Sequence, residues 1–212
     1  MVRFLYSAIF VFVFSCAVAQ ECQIVASGGM AYRLFVIPDS LSAAEAKHQK
    51  DLKPGNSFGF DVIFMYEQTG WGIGYSTFRG RKSLYNEEGS SLTALPSYDQ
   101  VVVNFFSLNY YLRKSVFSEK LFLNGKIGLG YVAYKDYCRE GGEEYTKTSG
   151  TYGISSYIGL SYMVSKHFLV GANLGLFISN TDKIKVDGVE QALSSKLRLT
   201  RVESNVCLGY IF

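Results

Sequence analysis

Apolar residues alternate with small or polar ones along most of the chain after its first twenty positions, with the period of two that a pleated strand imposes on its two faces. Eight such runs are legible, over about 22–36, 56–67, 70–80, 98–112, 120–134, 151–163, 167–180 and 199–212. In the seventh, Phe168, Val170, Ala172, Leu174, Leu176 and Ile178 share one face, and Gly171, Asn173, Gly175 and Ser179 share the other with Phe177. In the eighth, Val202, Val206, Leu208, Tyr210 and Phe212 alternate with Arg201, Glu203, Asn205 and Gly209. The second sets Phe58, Phe60, Val62, Phe64 and Tyr66 against Ser57, Gly59 and Asp61. The fourth run is less regular. Asn104 falls on the face of Val102, Phe106, Leu108 and Tyr110, where a bulge or a shifted register is expected.

The connections alternate in length. Short links fall at Gln68-Thr69, at 113–119 and at 164–166, and long ones cover about 37–55, 81–97, 135–150 and 181–198. This rhythm predicts an all-β fold, an eight-stranded antiparallel up-and-down transmembrane β-barrel with brief turns at one end and long loops at the other. Ala43, Ala44 and Ala46 favour a short helix within 40–52 of the first long loop.

Alternation alone does not say which face points outward, and a soluble lipocalin-type barrel shares the pattern. The less greasy face decides between them. A solvent face should be rich in charge, yet this one is mostly Gly, Ser and Asn with Arg33, Asp61, Lys126, Arg201 and Glu203 among them. Small side chains and a few opposite charges suit a narrow interior where charges must pair, so these five are the candidates for ion pairs inside the barrel. Tyr32, Tyr66, Trp71, Tyr110, Tyr162, Phe168 and Tyr210 would then form aromatic girdles at the two lipid boundaries.

The first residues fit this picture. Arg3 precedes an apolar run from Phe4 to Phe14, and Ala17-Val18-Ala19 supplies the small residues a signal peptidase accepts, so residues 1–19 read as a cleaved signal peptide and 20–212 as the barrel domain. Lipidation at Cys16 is the competing reading, disfavoured by the bulk of Phe14. Loss of Arg3 lowers the formal charge from +3 to +2, too weak a balance to point to nucleic acid. No later stretch approaches the roughly 18 to 20 apolar residues of a spanning helix, so a membrane crossing must use a closed barrel. Cys22, Cys138 and Cys207 are too scattered for a disulfide framework or a metal motif, and no metal or other cofactor is expected. A Cys22–Cys207 disulfide stays open as an alternative, because both fall near the rim that carries the two ends of the chain.

The segment Asn205-Val206-Cys207-Leu208-Gly209-Tyr210-Ile211-Phe212 resembles the C-terminal strand of bacterial outer-membrane proteins. In that family the final Phe and the alternating residues before it are read by the barrel-assembly machinery, which maps the signal onto Val206, Leu208, Tyr210 and Phe212. The hairpin from Tyr157 to Gly171 is similar to the penultimate hairpin of small barrels of the OmpX, OmpW and OmpA N-terminal type. The resemblance implies a monomer in the cell outer membrane, held by its lipid, with a structural or surface-interaction role of the adhesion or antigen kind exerted through long external loops on a host or surface ligand. An alternative is an OmpW-like passage for small hydrophobic molecules, lined by Val101, Val103, Phe105, Val132 and Phe177, which could equally be packing residues. A lower alternative is a lipid A-modifying barrel of the PagL or PagP type. Acyl transfer needs a nucleophile or water with a paired base, and the chain offers only His48, in the first long loop, and His167, beside a short turn. No paired His–Ser strand motif accompanies either, and a non-enzyme is expected.

Overall fold

The computed structural model describes residues 20–35, 43–84, 97–140 and 143–212. The expected signal peptide lies outside them. Among the described residues there are nine strands and one helix: β1 (Glu21–Arg33), α1 (Ala43–Asp51), β2 (Pro54–Tyr66), β3 (Thr69–Leu84), β4 (Ser97–Val116), β5 (Ser118–Glu140), β6 (Glu143–Met163), β7 (Phe168–Val186), β8 (Val189–Arg198) and β9 (Arg201–Ile211).

Eight strands close a ring. Each pairs antiparallel with its neighbour in sequence from β1 to β7, and β9 fills the gap between β7 and β1. The offset of the ring follows from its registers. Hydrogen-bonded partners lead from Gln23 through Ile63, Gly72, Asn109, Gly128, Ser155, Phe177 and Arg201 back to β1 at Arg33, ten positions on (33 minus 23). A stagger of this kind tilts the strands by roughly 40° and leaves an interior just wide enough for side chains.

Outer and inner faces are separated by side-chain period. Phe58, Leu108, Ile127, Ile158, Leu174 and Val206 are among the large apolar residues that stand exposed around the ring. Such a continuous apolar belt is stable against lipid and not against water. Tyr66, Tyr162, Phe168, Tyr210 and Phe212 edge its lower rim, and Tyr32, Tyr131 and Tyr152 its upper rim. Tyr110 departs from the girdle expected for it: its register partners are Trp71 and Ile127, which puts it within the belt.

Asn104 also lies on this outer face, and no bulge relieves it. β4 pairs continuously with β3 and β5 through that position. The Tyr75 hydroxyl donates to Asn104 Oδ1 at 2.9 Å, so the amide is partly satisfied on the greasy surface and the register need not shift.

The turns differ in detail from the expected links. Phe117 alone joins β4 to β5, at φ 61°, after a bulge at Ser115/Val116. Above the upper rim two of the expected long loops, 135–150 and 181–198, are largely strand. β5 and β6 pair as far as Glu140 and Glu143, and β8 pairs with the outer end of β7 across a two-residue turn, Asp187-Gly188, with φ 47° and 88°. Lys147↔Val186 and Thr148↔Lys185 join these two hairpins into one sheet that continues the barrel wall upward.

Candidate functional site

The interior divides into two halves. The upper half is a dry core of Phe78, Val101, Val103, Phe105, Val132 and Phe177, each at most 2% exposed, closed over by Ala31, Tyr134 and Leu199. The five residues considered for a hydrophobic passage therefore face the lumen and pack against one another; Phe105 and Phe177 meet edge to face at 5.0 Å. Packed against one another in this way, they serve as filling of the upper lumen.

Within this core sits Arg201, which is 0% exposed. Its Nε donates to Glu203 Oε1 at 2.5 Å, while its guanidinium carbon lies 4.0 Å from the Phe177 ring centroid and 5.7 Å from that of Phe78. The two terminal nitrogens have no hydrogen-bond partner, so the aromatic faces carry the remaining charge. Glu203 also accepts from the Tyr157 hydroxyl at 2.7 Å and from Asn205 Nδ2 at 3.3 Å, and Ser57 donates to Asn205.

A second pair lies lower in the lumen. Lys126 Nζ is 3.1 Å from Asp61 Oδ2, and Asn109 Nδ2 donates to Asp61 Oδ1 at 3.0 Å. Gly74 makes this possible: a Cβ there would run into both the Asp61 carboxylate and the Asn109 amide. Lys126 Nζ also rests 4.3 Å from the Tyr157 ring centroid. Tyr157 thus joins the two ion pairs, with its ring on one cation and its hydroxyl on the other pair's carboxylate.

Of the five interior charges singled out in the sequence, four form these two pairs and Arg33 stands apart. Its strand partner is Arg201, a like charge, and the nearest acid on β9 is already taken. Arg33 joins no ion pair among the described residues, and its guanidinium carbon lies 4.8 Å from the Phe35 ring centroid.

Below the pairs the lumen opens. A cavity of about 20 Å³ between them has room for about one water. Beneath it a cup of about 80 Å³ is bounded by Gln23, Asp61, Tyr111, Arg113, Lys126 and Cys207 among others. Arg113 grips Glu21 with two bonds, of 2.7 and 2.8 Å, at the lower rim. This pair was not legible in the sequence, because β1 and β4 are brought face to face only by closure of the ring.

Cys22 and Cys207 do not pair. Neither is in a disulfide; Cys22 faces outward next to the end of β9, whereas Cys207 faces the lumen opposite Ser27, several rungs up β1. His167 sits beside the C-terminal strand, with Nδ1 2.9 Å from the Ile211 carbonyl oxygen and its ring stacked on Tyr210. His48 belongs to α1. Val206, Leu208, Tyr210 and Phe212 all project from the outer face of β9 and its end, where Tyr210 packs edge to face on Phe168 and Phe212.

Above the upper rim, beyond Tyr131 on β5, the inward face carries Tyr134, Asp136 and Cys138. The Tyr134 hydroxyl donates to Asp136 Oδ2 at 3.0 Å. Burial raises the Asp136 carboxyl above its usual range, against the pull of Lys147 and with a further push from Asp99. Burial also pushes the Cys138 thiol up to about 12, with Asp136 adding to the rise.

No family model and no curated protein matches this sequence. Solved structures do match its fold. A major outer membrane protein from Thermus thermophilus is 12% identical with a TM-score of 0.53, over 91% of this chain and 99% of that one. Neisserial surface protein A is 11% identical with a TM-score of 0.50, over 91% of this chain and 96% of that one. Ring closure, apolar belt, filled lumen and these two likenesses together make the chain a transmembrane barrel with the fold of the small eight-stranded outer-membrane proteins.

Proposed function

We propose that the chain is a closed outer-membrane barrel that works as a surface-interaction protein through the sheet above its upper rim. The observation that carries this is the sealed upper lumen: Arg201 and the Phe78–Phe105–Phe177 core fill the bore from wall to wall, so what the molecule offers its surroundings is its exterior. The protruding β5–β6 and β7–β8 hairpins supply a paired and shape-retaining surface on which a ligand from a host or neighbouring cell can dock. Mixed charge on that sheet, including the Arg139–Glu144 and Lys183–Glu190 pairs at 3.0 and 3.1 Å, suits a protein or glycan partner better than nucleic acid.

This reading includes an exported chain whose residues 1–19 are removed as a signal and whose Val206, Leu208, Tyr210 and Phe212 are read by the assembly machinery. It places the lower rim in the periplasm and the hairpins outside the cell, and needs no catalytic group. The hydrophobic-passage reading loses support from the packing of Val101, Val103 and Val132.

The test is mobility of the detergent-folded protein, boiled against unboiled, followed by conductance in planar bilayers. A heat-dependent shift without channel openings is the expected result. Steady openings would replace this proposal with an aqueous pore, and the lack of any shift would overturn the barrel itself.

A further inference from the structure

Three oxygen and sulfur donors, two of them neighbours on one face of β5 and the third brought in from β4, meet at the upper mouth of the barrel. Asp99 on β4 stands directly opposite Cys138 on β5, and Asp136 lies two positions along β5 on the same inward face. One carboxylate oxygen from each Asp and the Cys138 Sγ all lie within 4.8 Å of one another. We infer that Asp99, Asp136 and Cys138 bind a thiolate-accepting divalent cation of the Zn²⁺ class, with water in the remaining position.

The second observation is the state of Asp136. It is only 9% exposed, and its Oδ1 is buried with no hydrogen-bond partner. A carboxylate oxygen left unpaired in such a place is costly unless something positive meets it. The two nearby cations do not: Lys147 is its strand partner but lies with Nζ 5.2 Å from the Tyr145 ring centroid, and Arg33 is turned to Phe35. Among the described residues neither forms an ion pair with Asp136.

The rest of the arrangement is that of a metal site. Tyr134 holds Oδ2 at 3.0 Å, in the manner of an outer-shell hydrogen bond to a ligating carboxylate, while Oδ1 is without a partner. One thiolate and two carboxylates are a donor set that zinc accepts, and three protein ligands leave a position for water or a further ligand. Asp99 is half-buried, so the mouth gives a cation a way in. The site does not depend on whether the lumen conducts.

The test uses the full chain in detergent, stripped with chelator, and Co²⁺ as the probe. A near-ultraviolet thiolate-to-cobalt band that saturates at one ion per chain and is displaced by Zn²⁺ is expected. A variant with Cys16→Ser, Cys22→Ser and Cys207→Ser should keep the band. Cys138→Ser should lose it, and Asp136→Asn should weaken binding by at least about tenfold. Boiled and unboiled mobility of each variant checks that the barrel is intact. Should Cys138→Ser fail to fold, Zn²⁺ protection of Cys138 from maleimide in the triple-serine variant gives the same answer. No band in the intact protein, a band that survives Cys138→Ser, or maleimide labelling indifferent to Zn²⁺ would overturn the site.

Discussion

The two halves of the lumen are built from the same strands and the same side-chain alternation, yet they handle charge differently. In the upper half a single ion pair, Arg201–Glu203, is sealed among aromatic rings, with side chains 0% and 1% exposed. Lower down, Lys126–Asp61 is 20% and 11% exposed, and at the lower rim Arg113–Glu21 is 15% and 22% exposed. The difference teaches where the strength of an interior ion pair comes from. A pair among Phe78 and Phe177 has at most a one-water cavity beside Glu203 to fall back on, so the Arg201 charge depends heavily on its partner, whereas pairs beside the cup can be rescued by solvent.

Breaking the sealed pair should therefore cost most. Glu203→Ala leaves Arg201 buried and uncompensated, and a loss of about 3 to 5 kcal/mol is expected, read from the urea midpoint of the heat-modifiable form. A loss no larger than that of a surface substitution would mean that the rings alone can hold the guanidinium. Phe177→Ala removes the ring beneath the same cation and leaves a void, with an expected cost of about 3 to 5 kcal/mol by the same assay. Its neighbours Phe105 and Val132 should still keep planar bilayers silent.

Asp61→Asn tests the middle of the gradient. It keeps the shape but removes the charge facing Lys126, and about 1.5 to 3 kcal/mol is expected because the lysine can reach the cup. Glu21→Gln at the rim should cost least, about 0.2 to 1 kcal/mol, and added salt should shrink even that. Equal costs at all three pairs would erase the comparison.

Much of the barrel could be read before any coordinates. Alternation from Phe168 to Ile178 and from Val202 to Phe212 fixes which residues face lipid, because a one-residue slip would turn every side chain over. The outer hairpins were hidden for the same reason. Beyond the belt neither face needs to be apolar, so Lys135, Asp136, Tyr137 and Cys138 alternate in no legible way although they continue β5. One local signal does mark an outer hairpin: Val186-Asp187-Gly188-Val189 carries the Asp-Gly pair that a two-residue hairpin favours, at the turn between β7 and β8. Charge pairing was legible only in part. That Arg33 would meet Arg201 and not an acid depends on the register between β1 and β9, which alternation cannot set. The same holds for Glu21 with Arg113 and for the grouping of Asp99 with Asp136 and Cys138.

Asp187-Gly188 also has a practical consequence. Val186 and Val189 close the tip of this hairpin, Val186 also pairs with Lys147 of β6, and nothing lies within 4 Å of the place a Gly188 side chain would occupy. With the hairpins on the outer side of the membrane, as proposed, a foreign peptide spliced at that tip would leave the ring registers untouched and be displayed beyond the upper rim.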